Sequence, residues 1–165
     1  MNIFAVSQCQ KESARSLCDQ HVVKMATETA QILSDALRLL YLEAPYKSFN
    51  PKHPSPQWAS EKKSNFLWTY FHGIELCEEY SRRYGGKIHA ARKQIDSAYE
   101  SARSDPDFEL YRKIFNHTKV SLIYVGPEEY RTDSVTESYR KFYNLDKSSF
   151  ARWLHSEKPS WYVGA

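Results

Sequence analysis

The chain has 165 residues, enough for one domain with a sizeable core. Five glycines and seven prolines exclude a collagen-like or low-complexity chain, and a net charge of +3 with a pI near 8.7 suits a polyanionic partner without requiring one. Aromatic residues make up 15%, which serves either core filling or flat surfaces for stacked bases.

Residues 2–6 read as a short extended arm. They lack the basic lead-in of a secretory signal, and no apolar run reaches the roughly 18 residues of a membrane span, so a cytoplasmic protein is expected. A helix starts near Glu12, and Asp19 breaks or kinks it. Residues 19–42 form a long amphipathic helix that Ala44-Pro45 ends. Four prolines (45, 51, 54 and 56) then stiffen a loop. Ser55-Pro56 opens a second helix that runs to about residue 84, where Gly85-Gly86 stops it. A third helix spans about 88–102. Residues 108–115 suggest a shorter helix, and 117–125 a strand or a buried loop. Residues 127–130 suggest one helical turn, and 134–153 a last helix or helix pair. No repeat or internal boundary appears. The expected fold is therefore mainly α: one compact irregular helical bundle over residues 1–165, with a short extended N-terminal arm. Cys9, Cys18 and Cys77 are odd in number and lack metal-ligand spacing, so they read as reduced thiols with no metal site. No cofactor is expected.

The chemistry concentrates on the helix after Asp19. At about 100° per residue, His21, Lys24, Glu28, Gln31 and Asp35 fall in one stripe roughly 80° wide, opposite Val22, Val23, Ala26, Ala30, Leu33 and Leu37. Glu28 suits a general base or the stabilisation of a developing cation. Lys24, one turn away, reads better as an ion-pair partner or phosphate ligand than as a nucleophile, because a neighbouring carboxylate favours the charged amine. A solvated helix face is the plainer alternative. In the proline loop, His53 and Trp58 form a stiff wall for a pocket, or Trp58 covers the core. Asn65, Trp68 and His72 share the polar face of the second helix, lining a cleft or packing against another element. The basic turn at residues 82–93, with Arg83, Lys87 and His89 around Gly85-Gly86, is a candidate phosphate site or a solvated turn. Arg140 lies among Tyr139, Phe142 and Tyr143, a mixture that suits nucleic acid or an ordinary amphipathic helix. No GxSxG, HExxH, GxGxxG or kinase signature is present.

Two resemblances attach to these residues. The Met-Asn-Ile-Phe start, the Asp-x-His-Val-Val-Lys-Met helix, the His-Pro-x-x-x-Trp loop and the Arg-Tyr-Gly-Gly-Lys turn resemble a group of short phage and bacterial proteins, with no activity implied. Leu17-Cys18-Asp19-Gln20-His21-Val22, with Glu28 nine residues after Asp19, is similar to the N-terminal helix of phage pyrimidine-dimer DNA glycosylases of the endonuclease V type. The helix bearing Phe66, Tyr70, Leu76, Glu79 and Arg83-Tyr84-Gly85 resembles that family's second long helix. Lys158-Pro159-Ser160-Trp161-Tyr162 resembles its tail. The resemblance implies a single, mainly helical domain, a catalytic glutamate at Glu28 and an N-terminal α-amine as nucleophile. The family's Thr-Arg after the lost methionine is Asn2-Ile3 here, and two of its arginines near the glutamate are Thr27 and Gln31. Asn disfavours removal of the preceding methionine, so the α-amine expected in the nucleophile's role is that of Met1.

Three readings follow. The first is a DNA glycosylase-like enzyme, with or without AP lyase activity, acting on a damaged or modified base. Glu28, Met1, Lys24 and His21 are its expected catalytic group, although His21 can equally brace the helix against the arm. Asn2, Gln31, His53, Trp58, Asn65, Trp68, Arg83, Lys87, His89 and Arg140 are its expected substrate contacts, with DNA as partner. The second is a phage protein that binds or processes a free nucleotide in an enclosed pocket formed by the stripe, His53, Asn65 and His89. The third is a protein-binding module.

Overall fold

The computed structural model describes residues 1–105, 107–108 and 119–164. Among the described residues the helices are α1 (Gln10–Ser16), α2 (Asp19–Leu39), α3 (Pro54–Glu61), α4 (Lys63–Arg83), α5 (Arg92–Ala102) and α6 (Val135–Leu145), with a 3-10 turn at Glu128–Tyr130. Among the described residues there is no strand, and no helix is long and apolar enough to cross a membrane. The all-helical expectation holds.

The apolar side of α2 (Val22, Met25, Ala26, Ala30, Leu33, Leu37) is wholly buried and makes α2 the central helix, packed on α4, α3 and α5. Gly73 of α4 lets the α2–α4 pair close up. A Cβ there would lie 2.6 Å from Thr29 Cγ2, one residue beyond Glu28.

The break before Asp19 is real. Leu17 and Cys18 are extended, and the α1 carbonyls left free at the break are taken up by Arg83 from the end of α4. The Arg83 guanidinium donates to Arg15 O and Leu17 O at 2.9 Å each, to Asp19 Oδ1 at 2.9 Å and to Glu79 Oε1 at 2.6 Å. The other Asp19 oxygen accepts from Leu154 N, which ties down the C-terminal tail. For Glu79, burial alone raises the carboxyl pKa, but its hydrogen bonds from Arg82 and Arg83 outweigh this and hold it below the usual range.

Three element boundaries differ from expectation. The second helix is two helices, because Lys62 is extended (φ −144°, ψ 141°) and Asn65 Nδ2 donates to Trp58 O, capping α3 from the start of α4. Residues 88–91 precede α5 rather than opening it: His89 turns inward, its Nδ1 accepts from Ala91 N, and the helix starts at Arg92. The last helix stops at Leu145, and residues 146–164 run as turns and coil over α6 and the start of α2. Of the segment at 108–115, only Phe108 lies within the described residues, and it is buried; of 117–125, residues 119–125 do. They form a loop buried on one side only, whose alternation (Val120, Leu122 and Tyr124 inward, Lys119 and Ser121 exposed) produces the strand-like pattern in the sequence. All three cysteines are unpaired.

The N-terminal arm is part of the core. Ile3, Phe4, Ala5 and Val6 are all buried, and Phe4 sits among His21, Tyr139, Phe142 and Tyr143 at centroid distances of 4.6–5.7 Å. Phe4 adopts a left-handed conformation (φ 47°), and Ser13 Oγ, which donates to Phe4 O and accepts from Val6 N, fixes this bend.

Two predictions concern stability. His21 and His72 are buried, and burial pushes both imidazoles from 6.5 down to about 3. Their neutral forms support the fold fully above pH 6.5, and that support is lost as pH falls toward 3. Urea unfolding at pH 5 should show about 2 kcal/mol less stability per imidazole than at pH 7. Among the described residues His72 Nε2 has no hydrogen-bond partner, and His72→Leu should remove its share of the fall. Second, α2 ends in a Schellman motif, with Leu42 N donating to Leu37 O and Tyr41 N to Arg38 O. The left-handed position is Tyr41 (φ 58°), 98% exposed, where glycine is favoured. Tyr41→Gly should raise the urea midpoint, stabilising the fold by about 0.5–1 kcal/mol.

Candidate active site

Glu28 lies mid-helix on α2, its side chain 13% exposed. Three nitrogens converge on its carboxylate. Asn2 N donates to Oε2 at 2.7 Å, the Met1 α-amino group lies 4.0 Å from the same oxygen, and Lys24 Nζ is 3.3 Å from Oε1. Lys24 is otherwise largely solvated (66% exposed), and the Met1 side chain is buried. The start of the chain is therefore held against a carboxylate in the middle of α2 that keeps a small exposed surface. A primary amine beside a half-buried carboxylate has a proton acceptor within reach, and the carboxylate can stabilise a cation that forms next to it.

Asn2 is held by its side chain as well. Nδ2 donates to Val125 O at 2.5 Å, and Oδ1 accepts from Ile3 N at 2.7 Å and from the Tyr139 hydroxyl at 2.8 Å. Tyr139 and Val125 were not foreseen as part of this site. They lie more than 120 residues away in the chain, and nothing in the local pattern of either marks them.

The proline loop reaches the site through the last residue of the stripe. Asp35 is wholly buried; its carboxylate pairs with Arg38 at 3.3 Å and accepts from the backbone N–H groups of Phe49 and Asn50. Ser34 Oγ accepts from Tyr46 N, and the Arg38 guanidinium donates to Tyr46 O. Asn50 O in turn accepts from His53 N at 3.0 Å, and His53 Nδ1 accepts from Ser55 N at 3.2 Å as the cap of α3. His53 is half-buried within electrostatic reach of both Met1 and Glu28. Burial lowers its pKa most, the Met1 ammonium lowers it further, and Glu28 opposes them. Gln31, one turn beyond Glu28, is half-buried on the same stripe.

Other expected site residues serve the framework instead. His21 turns into the core, with Nδ1 bonded to the Tyr143 hydroxyl and its ring against Phe4, Tyr143 and Phe150. The polar stripe is thus split, with His21 and Asp35 buried and Lys24 in solvent. Trp58 and Trp68 are buried, and their indole N–H groups donate to Ser121 O (3.0 Å) and Gln8 O (2.9 Å). Asn65 is used up as the α3 cap, and Arg83 fills the α1–α2 break. His89 is buried, with Nε2 on Val23 O. In Trp58, Asn65, Trp68, Arg83 and His89 alike, the polar tip meets a backbone acceptor of another segment or helix end. The basic turn does not form a helix-start phosphate site, because α5 begins five residues after Lys87, and Arg82 and Arg92 are paired with Glu79, Glu78 and Asp96. Lys87 remains exposed. Arg140 is half-buried and donates to Val6 O and Glu137. Among the described residues no group of His, Cys, Asp and Glu is arranged to hold a metal ion.

Comparison with curated proteins and with solved structures gives no match. A family model, described as pyrimidine dimer DNA glycosylase, matches residues 1–94. The match spans more than half of the chain. It contains Met1, Asn2, Lys24, Glu28 and the loop to His53, the parts that meet at the carboxylate. By that match this chain belongs to the pyrimidine dimer DNA glycosylase family.

Proposed function

We propose that the protein excises a damaged or modified base from DNA by attack of its N-terminal α-amine on the sugar, with Glu28 as the catalytic carboxylate. The observation that carries this reading is the placing of two successive main-chain nitrogens, those of Met1 and Asn2, at 4.0 and 2.7 Å from one oxygen of Glu28. The amine lone pair adds at C1′ while the bond from C1′ to the base breaks. The base leaves with that electron pair and takes up a proton. Glu28 stabilises the oxocarbenium-like charge on the sugar and accepts the proton lost from the attacking nitrogen. Opening of the sugar ring then gives an imine between enzyme and DNA, from which an AP lyase step can follow.

In the chain as it stands the attacking amine is that of Met1; if Met1 is removed, the amine of Asn2 is left on the carboxylate. Lys24, bound to the other oxygen and mostly in water, is suited to a phosphate rather than to attack. Gln31 and His53 border the carboxylate and are proposed substrate contacts. With Nδ1 occupied by Ser55 N–H, neutral His53 carries its proton on Nε2 and offers it to an acceptor oxygen. Lys87 and Arg140 are proposed to meet backbone phosphates further out.

Borohydride should trap the protein covalently on a duplex carrying an abasic site, and digestion with mass spectrometry should locate the adduct on the N-terminal peptide. An adduct on Lys24, or no adduct with any abasic or damaged duplex, would overturn the proposal. Glu28→Gln should slow imine formation by about 100-fold or more while leaving duplex affinity within a few-fold, measured at one fixed salt concentration.

A further inference from the structure

Three hydrogen bonds join Asn2, Val125 and Tyr139 in a closed ring. Asn2 Nδ2 donates to Val125 O (2.5 Å), Val125 N donates to the Tyr139 hydroxyl (3.0 Å), and that hydroxyl donates to Asn2 Oδ1 (2.8 Å). Outside the ring, Ile3 N and Phe4 N also donate to Asn2 Oδ1, which turns the main chain so that Asn2 N faces Glu28. We propose that Tyr139 and the Val125 peptide form an asparagine-specific socket that positions the nitrogen of residue 2, and with it the N-terminal amine, on Glu28. This inference rests on the amine-attack reading above. It gives the reaction centre a positioning residue from beyond residues 1–94, the span of the family match.

The specificity is chemical. The ring closes only if one short side chain offers a donor and an acceptor in one plane at a fixed separation. Asn does so; Asp lacks the donor, Thr and Ser have one hydroxyl where two atoms are needed, and Gln displaces both by a methylene. The socket is rigid on its far side. Tyr139 is wholly buried, and burial pushes its phenol well above the ordinary value, which keeps the O–H as a donor. Tyr124 packs on Tyr139 at 4.9 Å and donates to Pro127 O, clamping the loop that bears Val125. Gly126 permits this: a Cβ there would lie 2.6 Å from the Tyr124 hydroxyl. On the near side, Phe4 with its left-handed φ anchors the arm among the α6 aromatics, so residue 2 is gripped both by its own amide and by the following residues.

Tyr139→Phe removes one oxygen and keeps the ring. Asn2→Asp removes the donor to Val125 and leaves residue size unchanged. For both variants and the parent protein, three quantities would be compared: thermal midpoint, pH profile of borohydride trapping on abasic duplex, and rate of acetylation of the N-terminal amine by acetic anhydride without DNA. The expected result is trapping slowed about tenfold in each variant, the order set by one buried hydrogen bond, with a displaced pH midpoint and faster acetylation of the released amine. If both variants trap and acetylate at the parent's rates with the parent's pH profiles, the socket does not position the amine, whatever the thermal midpoints do. If the parent itself fails to trap, the glycosylase reading fails, and acetylation alone decides the socket: equal rates in parent and variants overturn it, and faster rates in the variants support it.

Discussion

Burial of the N-terminal arm is the constraint on which the rest depends. Four consecutive apolar residues, Ile3 to Val6, lie inside the fold, and the polar residue before them can go only where its hydrogen bonds are met. Those bonds are found at the Glu28 carboxylate, the Val125 peptide and the Tyr139 hydroxyl. An otherwise ordinary hydrophobic anchor therefore delivers the start of the chain to the middle of the central helix. The aromatic cluster around Phe4 is the energetic basis of the site, although none of its members touches the carboxylate.

A second theme is the use of polar tips on large apolar bodies as internal tie-beams. Trp58, Trp68 and Trp153 each bury an indole and spend its N–H on a backbone carbonyl of another segment. Arg83 does the same with a guanidinium, closing the gap between α1 and α2 and bridging the ends of three helices. Short helices with irregular breaks leave backbone groups unpaired, and long amphipathic side chains are the means of pairing them. A bundle with so many breaks needs many such side chains, which accounts for the aromatic richness of the chain without any stacked base.

This explains what could be read in advance and what could not. The central helix and Glu28 follow from local information: apolar spacing on one side, and one acid flanked at the right distances by Lys24 and by the residues of the family resemblance. The roles of Trp58, Asn65, Trp68, Arg83 and His89 do not follow. An indole or guanidinium on a polar helix face looks the same whether it awaits a ligand or meets a carbonyl from a distant segment, and only the tertiary fold distinguishes the two. The split at Lys62 has no glycine or proline to announce it, because the cap comes from the side chain of Asn65. Asp35 was visible as the last member of the stripe, but its partners are main-chain N–H groups of the loop, which carry no sequence signature. The alternation of Val120, Leu122 and Tyr124 reports an extended segment with one side inward, and such a segment need not pair with another strand.

The hydrogen bond between Asn2 and Tyr139 joins residues 137 positions apart. During synthesis the first residues leave the ribosome long before their partners on α6 exist, so the seating of the N-terminal arm is among the last steps of assembly. Glu28 and its helix, with Lys24 on the carboxylate, are present early, but the Tyr139 bond to Asn2 waits until α6 arrives. A chain cut short before α6 would keep the whole span of the family match and lack the Tyr139 hydroxyl that holds Asn2. In this architecture, the seat of residue 2 is withheld from nascent and truncated chains by topology alone.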